Sequence, residues 1–252
     1  GCEDKKMPIL AVSSAKGGVG KTTVSTHLAS AFALFGARTL LIDLDPQGAA
    51  GALLQVDDFA PQLSSTSQIR SAEMLQTLSF DEIPELEIVP ADPEIDHLQH
   101  HFAPGRMQEL LKKHERTLDF VVFDLPPVLE PVTLWALGEA DAVLVVVKPT
   151  ALSVRTLPSL LNKILENQKT RLEGILLNQI EDNNFSIKTV EMLHASFGRW
   201  IFPVTVPFDP TVQESALFGQ SLFSRNAYAP SAQAYQNIAR ELLFRYDFSY
   251  LL

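Results

Sequence analysis

A glycine-rich turn lies between an apolar run and a run with helical periodicity, and it constrains the fold of this chain more than any other segment. Residues 9–15 are apolar in the manner of a buried strand, and residues 21–35 alternate apolar and polar positions with a helical period up to Gly36. The turn between them has the sequence KGGVGKTT over residues 16–23. A strand followed by a tight turn and a helix is the start of a βαβ unit, so we expect an α/β fold with a mostly parallel sheet.

The composition of this turn favours the binding of a polyphosphate. Because Gly17, Gly18 and Gly20 lack Cβ atoms, they can adopt dihedral angles that point successive backbone N–H groups at an anion. The helix that follows directs its positive N-terminal end at the same point. Together these groups predict a phosphate-binding loop.

The charged and hydroxyl side chains of the turn complete the predicted site. Lys21 would reach the β- and γ-phosphates as a point charge, and the Thr22 hydroxyl would complete a Mg²⁺ shell of phosphate oxygens and water. Thr23 provides a second hydroxyl for the α-phosphate. The predicted nucleotide contacts of the loop are Lys16, Gly17, Gly18, Val19, Gly20, Lys21, Thr22 and Thr23.

Two further segments have the pattern of buried strands that end in carboxylates. Residues 39–45 end in Asp43 and Asp45 before a PQG turn, and residues 120–124 end in Asp124 before two prolines. Ligands of open α/β sheets bind at the carboxyl ends of the strands. A single strand-end carboxylate more often caps a helix or faces solvent, but two such strands behind a phosphate loop indicate a nucleotide and metal site.

These three elements resemble those of the ParA/MinD superfamily of ATPases, and most of all its ParA/Soj-like partition ATPases. The usual phosphate loop is G-x-x-x-x-G-K-[ST], whereas here Ala15 takes the first position and Lys16 follows, which is the family's deviant Walker A pattern. The resemblance implies that Lys16 reaches the nucleotide of a second subunit. It also implies that Asp45 positions the attacking water, and that Asp43 and Asp124 hold Mg²⁺ through water. The predicted catalytic residues are Lys16, Lys21 and Asp45.

The adenine base has predicted contacts in the second half of the chain. Residues 174–178 are an apolar strand ending in an asparagine, and residues 204–209 have the pattern of another strand, which ends at a proline. The resemblance implies that the asparagine hydrogen-bonds the base and that the proline loop packs on its face. The family usually has a basic residue directly after this proline, where this chain has Phe208. The predicted base contacts are Asn178, Pro207, Phe208 and Asp209.

The resemblance extends over roughly residues 8–245 and implies an ATPase that acts as a switch. ATP and Mg²⁺ would favour a homodimer, and slow hydrolysis, stimulated by a partner protein, would release it from its cargo. DNA segregation with a centromere-binding partner is the leading expectation. The alternative is the positioning of a protein assembly, such as a chemoreceptor array, a flagellum or cellulose-secretion machinery. An ATP-dependent biosynthetic enzyme on the same fold ranks third, because such an enzyme needs neither Lys16 nor the PQG turn.

The charge of the chain bears on the choice between DNA and protein cargo. The net charge is −10, from 30 acidic and 20 basic residues. An acidic chain binds DNA poorly unless its basic residues cluster, because affinity grows with the number of phosphates neutralised. The basic residues of the second half are scattered: Arg155, Lys163, Lys169, Arg171, Lys188, Arg199 and Arg225. A dimer could assemble a basic face from them, so non-specific DNA binding remains open.

Length and composition predict one domain and exclude some relatives. A chain of 252 residues with 46% hydrophobic content suits a single doubly wound domain, which we assign to residues 8–252, with residues 1–7 as a leader or cloning remnant. The single cysteine, Cys2, excludes relatives that bind a shared Fe–S cluster or use a Cys-x-x-Cys motif. No apolar run approaches about 18 residues and no signal segment opens the chain, so we expect a cytoplasmic protein that binds membranes neither through a helix nor at their surface, with the nucleoid or a cell pole as further addresses.

The remaining pattern predicts alternating strands and helices. We expect a strand at 142–148 and helices near 104–116, 153–167, 185–197 and 230–245. Residues 56–82 are polar and weakly periodic, which predicts the least ordered part of the chain, with one helix near 71–78.

Two minor features have competing interpretations. The spacing of Asp96, His97, His100 and His101 could suit a metal, but a solvated face is the favoured interpretation, since no second cluster completes a site. The aromatic tail, residues 242–252, contains one Arg and one Asp, which gives little attraction to anionic lipid. We expect the tail to pack on the domain, with a partner or dimer contact as the alternative.

Overall fold

The computed structural model describes residues 7–56, 58–71, 75–95, 102–127, 130–166, 169–218 and 220–252. Its strands are β1 (Ile9–Ser13), β2 (Thr39–Asp43), β3 (Leu78–Ser79), β4 (Leu86–Val89), β5 (Phe120–Asp124), β6 (Ala142–Val147) and β7 (Arg171–Leu177). They form one sheet in the order β3-β4-β2-β5-β1-β6-β7. All neighbours are parallel except the edge strand β3, which runs antiparallel to β4. The predicted fold class, a doubly wound and mostly parallel sheet, is confirmed.

Helices cover both faces of this sheet. They are α1 (Lys21–Leu34), α2 (Ala49–Leu53), α3 (Ser65–Ser71), α4 (Arg106–Lys112), α5 (Pro131–Glu139), α6 (Ala151–Glu166), α7 (Asn184–Phe197), α8 (Pro210–Leu217), α9 (Leu222–Asn226) and α10 (Pro230–Arg245). Short 3₁₀ turns occur at Pro61–Leu63, Gly198–Trp200 and Ser249–Leu251. Within the described ranges, no helix combines the length and the apolar character that crossing a bilayer requires.

The core consists of two layers that the sheet separates. Side chains of a strand point to opposite faces in turn, so Ile9 and Ala11 pack with α4 to α7, whereas Leu10 and Val12 pack with α1 and α10. Every residue of β1, β5 and β6 is buried. Because both faces of these strands are covered, they appear in the sequence as continuous apolar runs.

Parallel pairing brings the predicted site residues to one edge of the sheet. The register of β2 and β5 places Asp43 beside Asp124, and the register of β1 and β5 places Val12 beside Asp124. The glycine-rich turn follows β1 directly and opens α1. The strand ends, and not any one loop, therefore determine where the site lies.

Several predicted helices are confirmed. The helix after the glycine turn, α1, begins at Lys21, and α6, α7 and α10 lie within two residues of their predicted bounds. The helix predicted near 104–116 is shorter, because α4 covers only Arg106–Lys112.

The prediction for residues 56–82 was wrong in its details. A helix forms at 65–71, ahead of the predicted 71–78, and β3 begins at Leu78. The Gln68 side chain explains this: it donates to the carbonyls of Leu63 and Gln76 at 2.7 and 2.9 Å and accepts from the Gln76 amide at 2.6 Å. The buried Gln68 side chain thus bonds the backbone on both sides of α3 and fixes the position of Gln76, two residues ahead of β3.

The strand predicted at 204–209 was also wrong. This segment is a loop that contributes a single bridge, between Ile180 and Pro207, beside the sheet edge. A proline lacks the N–H that a longer ladder requires.

Both ends of the described chain pack on the domain. Met7, which we assigned to the leader, is 8% exposed and belongs to the core of the domain. Phe248 is buried, and the Tyr246 hydroxyl donates to Glu173 at 2.7 Å. Packing of the tail on the domain is confirmed. Cys2, Asp96, His97, His100 and His101 lie outside the described residues.

Candidate nucleotide-binding site

The glycine turn has the backbone conformation that an anion-binding loop needs. Gly18 and Gly20 have φ values of 76° and 82°, and Gly20 is the residue that precedes α1. A Cβ atom on Gly20 would lie 2.6 Å from Asn178 Nδ2 and 2.8 Å from Gln179 Nε2. Gly20 is therefore required twice, by its left-handed backbone and by the side chains that press against it.

Lys21 joins two of the predicted carboxylates. Its ammonium nitrogen lies 2.8 Å from Asp124 Oδ1 and 3.5 Å from Asp45 Oδ2, and the residue is 5% exposed. A buried ammonium group without a counter-charge would be strongly destabilising, so this arrangement positions the lysine as well as neutralising it. Three residues predicted from three separate segments thus meet at one point.

The carboxylates after β2 hold their own loop. Asp43 accepts hydrogen bonds from the amides of Asp45 at 3.0 Å and Ala50 at 3.1 Å, and Asp45 accepts one from Gln47 at 3.0 Å. Burial, reinforced by the nearby Asp124 carboxylate, raises the pKa of Asp43 well above its usual value. Asp43 links the loop to the first turn of α2. A contact with the Mg²⁺ hydration shell stays a prediction for Asp43.

The residues at this edge fit a magnesium ion. Asp124 Oδ2 is buried and has no hydrogen-bond partner among the described residues. The Thr22 hydroxyl lies 3.3 Å from the Lys21 ammonium, which is itself bonded to the other oxygen of Asp124. Carboxylate and hydroxyl oxygens are the ligands that Mg²⁺ uses, directly or through water. An unsatisfied carboxylate oxygen in a polar setting is the atom that such a hydrated ion would bind.

Asn178 supports the phosphate loop from the end of β7. Its Nδ2 donates to the Val19 carbonyl at 2.8 Å, and its Oδ1 is buried without a partner among the described residues. Asn178 is thus a loop anchor with one free acceptor. The predicted hydrogen bond to adenine would use that acceptor, and it remains a prediction.

The remaining predicted base contacts lie on the loop before α8. The Phe208 amide donates to the Ile180 carbonyl at 2.8 Å, which holds the loop of Pro207 beside β7, and the Phe208 ring is 45% exposed. Asp209 caps α8 by accepting from Thr211, and its other oxygen accepts two bonds from Ser231 of α10. Burial opposes ionisation, but the hydrogen bonds from Ser231 and Thr211 prevail and lower the pKa of Asp209. Asp209 has a structural role that the sequence prediction missed.

Lys16 lies on the rim of the site. It is half-buried, and its ammonium nitrogen is 3.3 Å from the Thr150 hydroxyl in the loop between β6 and α6. Sequence reasoning missed Thr150 and also Gln179, which follows β7 with a φ of 54°. Both stand just beyond strands that the sequence predicted, so the rule that ligands meet strand ends could have found them.

A buried histidine in the first helix was missed as well. The His27 Nδ1 atom donates to the Thr23 carbonyl at 2.7 Å, and the ring stacks on Tyr235 of α10 with centroids 5.1 Å apart. Burial lowers the pKa of His27 to about 4. The neutral His27 ring therefore joins α1 to α10. Sequence reasoning missed this contact because His27 occupies a position that the helical pattern also allows for an ordinary apolar core residue.

A glycine loop that opens a helix, a buried lysine beside it and carboxylates at neighbouring strand ends define a P-loop nucleotide-binding protein. A family model described as an AAA domain matches residues 7–177. The chromosome-partitioning ATPase Soj of Thermus thermophilus is 32% identical over 248 residues, which are 95% of this chain and 97% of that protein. The chain belongs to the ParA/MinD superfamily of P-loop ATPases.

Solved structures show the same fold. Cyanothece McdA in its apo form matches with a TM-score of 0.83 at 19% identity, over 94% of this chain and 100% of that one. The cobyrinic acid a,c-diamide synthase of Mycobacterium smegmatis, with bound ADP and magnesium, matches with a TM-score of 0.78 at 25% identity over 96% of both chains.

Proposed function

We propose that this chain is an ATP-dependent switch that forms a homodimer when ATP and Mg²⁺ are bound and uses slow hydrolysis to time its release from a cargo. The observation that carries the proposal is the pair of lysines in one loop. Lys21 is buried against Asp45 and Asp124, whereas the Lys16 ammonium lies at the rim, 3.3 Å from the Thr150 hydroxyl. In this proposal Lys21 serves its own site, and Lys16 serves the site of a second subunit.

The chemistry of the site follows from its charges. The Lys21 ammonium would exchange contacts with the carboxylates for contacts with the β- and γ-phosphates. When bound, Mg²⁺ would neutralise charge on the phosphate oxygens. Asp45 would orient the attacking water, since one of its oxygens is fixed by the Gln47 amide and the other faces Lys21. Such positioning without a strong base is consistent with slow turnover that a partner protein stimulates.

Apolar side chains around the site support a dimer. Leu152, Phe185 and Phe208 are 53%, 59% and 45% exposed. They stand at or just before the first turns of α6, α7 and α8, which begin near the carboxyl edge of the sheet, the edge at which the loop of Lys16 also lies. Exposed apolar groups around a charged site are suited to burial by a second copy that covers the nucleotide.

Replacement of Lys16 tests whether this lysine is needed for the proposed dimer. In a hydrolysis-defective Asp45→Ala background, Lys16→Ala should abolish ATP-dependent dimerisation in sedimentation velocity, while ATP binding by fluorescence titration stays measurable. Lys163→Ala, an exposed lysine of α6 outside the site, is the matched control and should dimerise normally. An unchanged dimer fraction in Lys16→Ala would refute the role of this lysine across the interface.

DNA is the leading cargo in this proposal, with a centromere-binding protein as partner. It is supported by the partition role that the name of the Thermus relative states, and by exposed basic side chains on neighbouring helices, Arg155 and Lys163 of α6 and Lys188 of α7. Retention on non-specific duplex DNA should appear only with ATP and should weaken steeply with salt. No ATP-dependent binding at low salt would favour the alternative, the positioning of a protein assembly, which the net charge of −10 supports.

A biosynthetic role on the same fold is a third candidate, because the mycobacterial structure carries such a name. It does not account for Lys16. If this role were correct, Lys16→Ala would leave turnover of a carboxylic substrate intact and no ATP-dependent dimer would form in either form of the chain.

A further inference from the structure

A second cavity opens beside the edge of the sheet and shares no residue with the nucleotide site. Its volume is about 330 Å³, within the range of ligand-binding pockets. Five apolar side chains, from the end of α2 and from the segment between β3 and the start of β4, line it: Leu53, Leu54, Phe80, Ile83 and Leu86. Ile83 and Leu86 are buried, whereas the other three are half-buried. The cavity therefore has an apolar floor large enough for one or two side chains.

The rim of this cavity is acidic. Asp81 and Glu82 line it and are exposed. They belong to a segment, residues 39–105, that contains twelve acidic residues and one basic residue, Arg70. Since the whole chain has a net charge of −10, this segment alone carries the entire excess of negative charge. Acidic side chains at the rim of an apolar cavity attract a basic partner and disfavour acidic ones.

The cavity is connected to the nucleotide site through α2. This helix has five residues, so it is about 7 Å long. Its first turn is bonded to the site, because the Ala50 amide donates to Asp43 Oδ2 at 3.1 Å. Its last residue, Leu53, lines the cavity. The turn beyond α2 is tight, with the Val56 amide donating to the Gly51 carbonyl at 2.8 Å. A displacement of Leu53 would thus reach Asp43 through a single short, rigid element.

We propose that this cavity is the docking site for a basic segment of a partner protein, which inserts an apolar side chain between α2 and β3 while its Lys or Arg residues pair with Asp81 and Glu82. Occupancy would act on the loop of Asp43 and Asp45 through α2. Docking stands independently of the ATPase cycle, whereas the effect on turnover rests on the proposed function.

Docking is tested with a displayed library of random nonapeptides selected on the full chain without nucleotide. Enriched sequences should combine Lys or Arg with Leu, Phe, Met or Trp. By fluorescence anisotropy, the enriched peptides should bind Asp81→Asn/Glu82→Gln about tenfold more weakly, as expected for two exposed ion pairs. Ser79→Trp, which fills the cavity from the edge strand, should abolish binding. Glu85→Gln, an exposed carboxylate that does not line the cavity, should bind like the unmodified chain.

Three results would overturn the docking site. Failure to enrich basic and apolar peptides, or equal binding to the Ser79→Trp variant, would overturn the docking site, provided that thermal melting shows the variant folded. Self-association of the nucleotide-free chain that Ser79→Trp abolishes would assign the cavity to a second copy and would also overturn it.

The connection to the nucleotide site has its own measurement. Peptide binding should shift the ¹H–¹⁵N resonance of the Ala50 amide and change the rate of ATP turnover, and neither change should occur in Ser79→Trp. An unmoved Ala50 resonance would refute the connection through α2. A chain that hydrolyses no ATP, yet binds the peptides and shows the Ala50 shift, would count against the proposed function and support the docking site.

Discussion

Gly20→Ala tests the phosphate loop most directly, because two separate terms of its cost can be read from the structure. A φ of 82° is a left-handed conformation that costs a residue with a side chain about 1 kcal/mol. The new Cβ would also lie 2.6 Å from Asn178 Nδ2. Asn178 is buried, so it would have to give up its bond to the Val19 carbonyl, at about 2 kcal/mol for the bond and the unsatisfied group. We expect a total destabilisation of about 3 kcal/mol.

Gly105→Ala is the matched control for this substitution. Gly105 has a φ of 81° and precedes α4 as Gly20 precedes α1, but among the described residues no atom outside its own stretch of chain lies within 4 Å of its ideal Cβ position. It should cost only the backbone term, about 1 kcal/mol. The difference of about 2 kcal/mol between the two variants then measures the pressure of Asn178 on the loop.

Urea unfolding of the nucleotide-free chain, followed by circular dichroism, gives both free energies, and the melting temperatures should differ by roughly 4 to 8 °C. ATP affinity should fall with Gly20→Ala and remain unchanged with Gly105→Ala. Equal destabilisation by the two substitutions would refute the reasoning, since it would mean that Asn178 moves aside without loss.

Two further predictions concern the contacts that α10 makes with His27 and Glu173. Burial lowers the pKa of His27 to about 4 from an ordinary 6.5, so the stability it confers is complete above pH 6.5 and is lost as the pH falls toward 4. Urea unfolding should show that the free energy of unfolding falls by about 3 kcal/mol between pH 7 and 4. His27→Phe should reduce this loss, whereas the control His194→Gln, on the surface of α7, should leave it unchanged. The same pH profile in His27→Phe as in the unmodified chain would contradict this prediction. Glu173→Gln should lower the free energy of unfolding by about 2 kcal/mol at pH 7, because the buried Glu173 carboxylate accepts a hydrogen bond from Arg245 at 2.8 Å. The control Glu241→Gln breaks an exposed pair with the same arginine and should lower it by less than about 1 kcal/mol. Equal losses in thermal melting would show that burial of Glu173 contributes nothing.

Burial on both faces made much of the sheet predictable. A strand that is covered on both sides has no polar alternation, so residues 39–45 and 120–124 stood out as apolar runs with a carboxylate at the end. The phosphate loop was equally clear, because glycines and lysines at that spacing have few other uses. The same reasoning failed at β3 and at the loop of Pro207, where pairing depends on contacts with distant segments.

The fold class, the phosphate-loop motif and the carboxylates that accompany it could be predicted from the residues alone, because these depend on local conformation and on the rule that parallel strands end together. The folded structure was needed to show which atoms are engaged: the Lys21 bond to Asp124, the Asn178 bond to Val19 and the capping role of Asp209. Each of these joins residues that are far apart in the chain or occupies an atom that the sequence left free. Side-chain hydrogen bonds form within about 3 Å, and such proximity is a property of packing and not of sequence spacing.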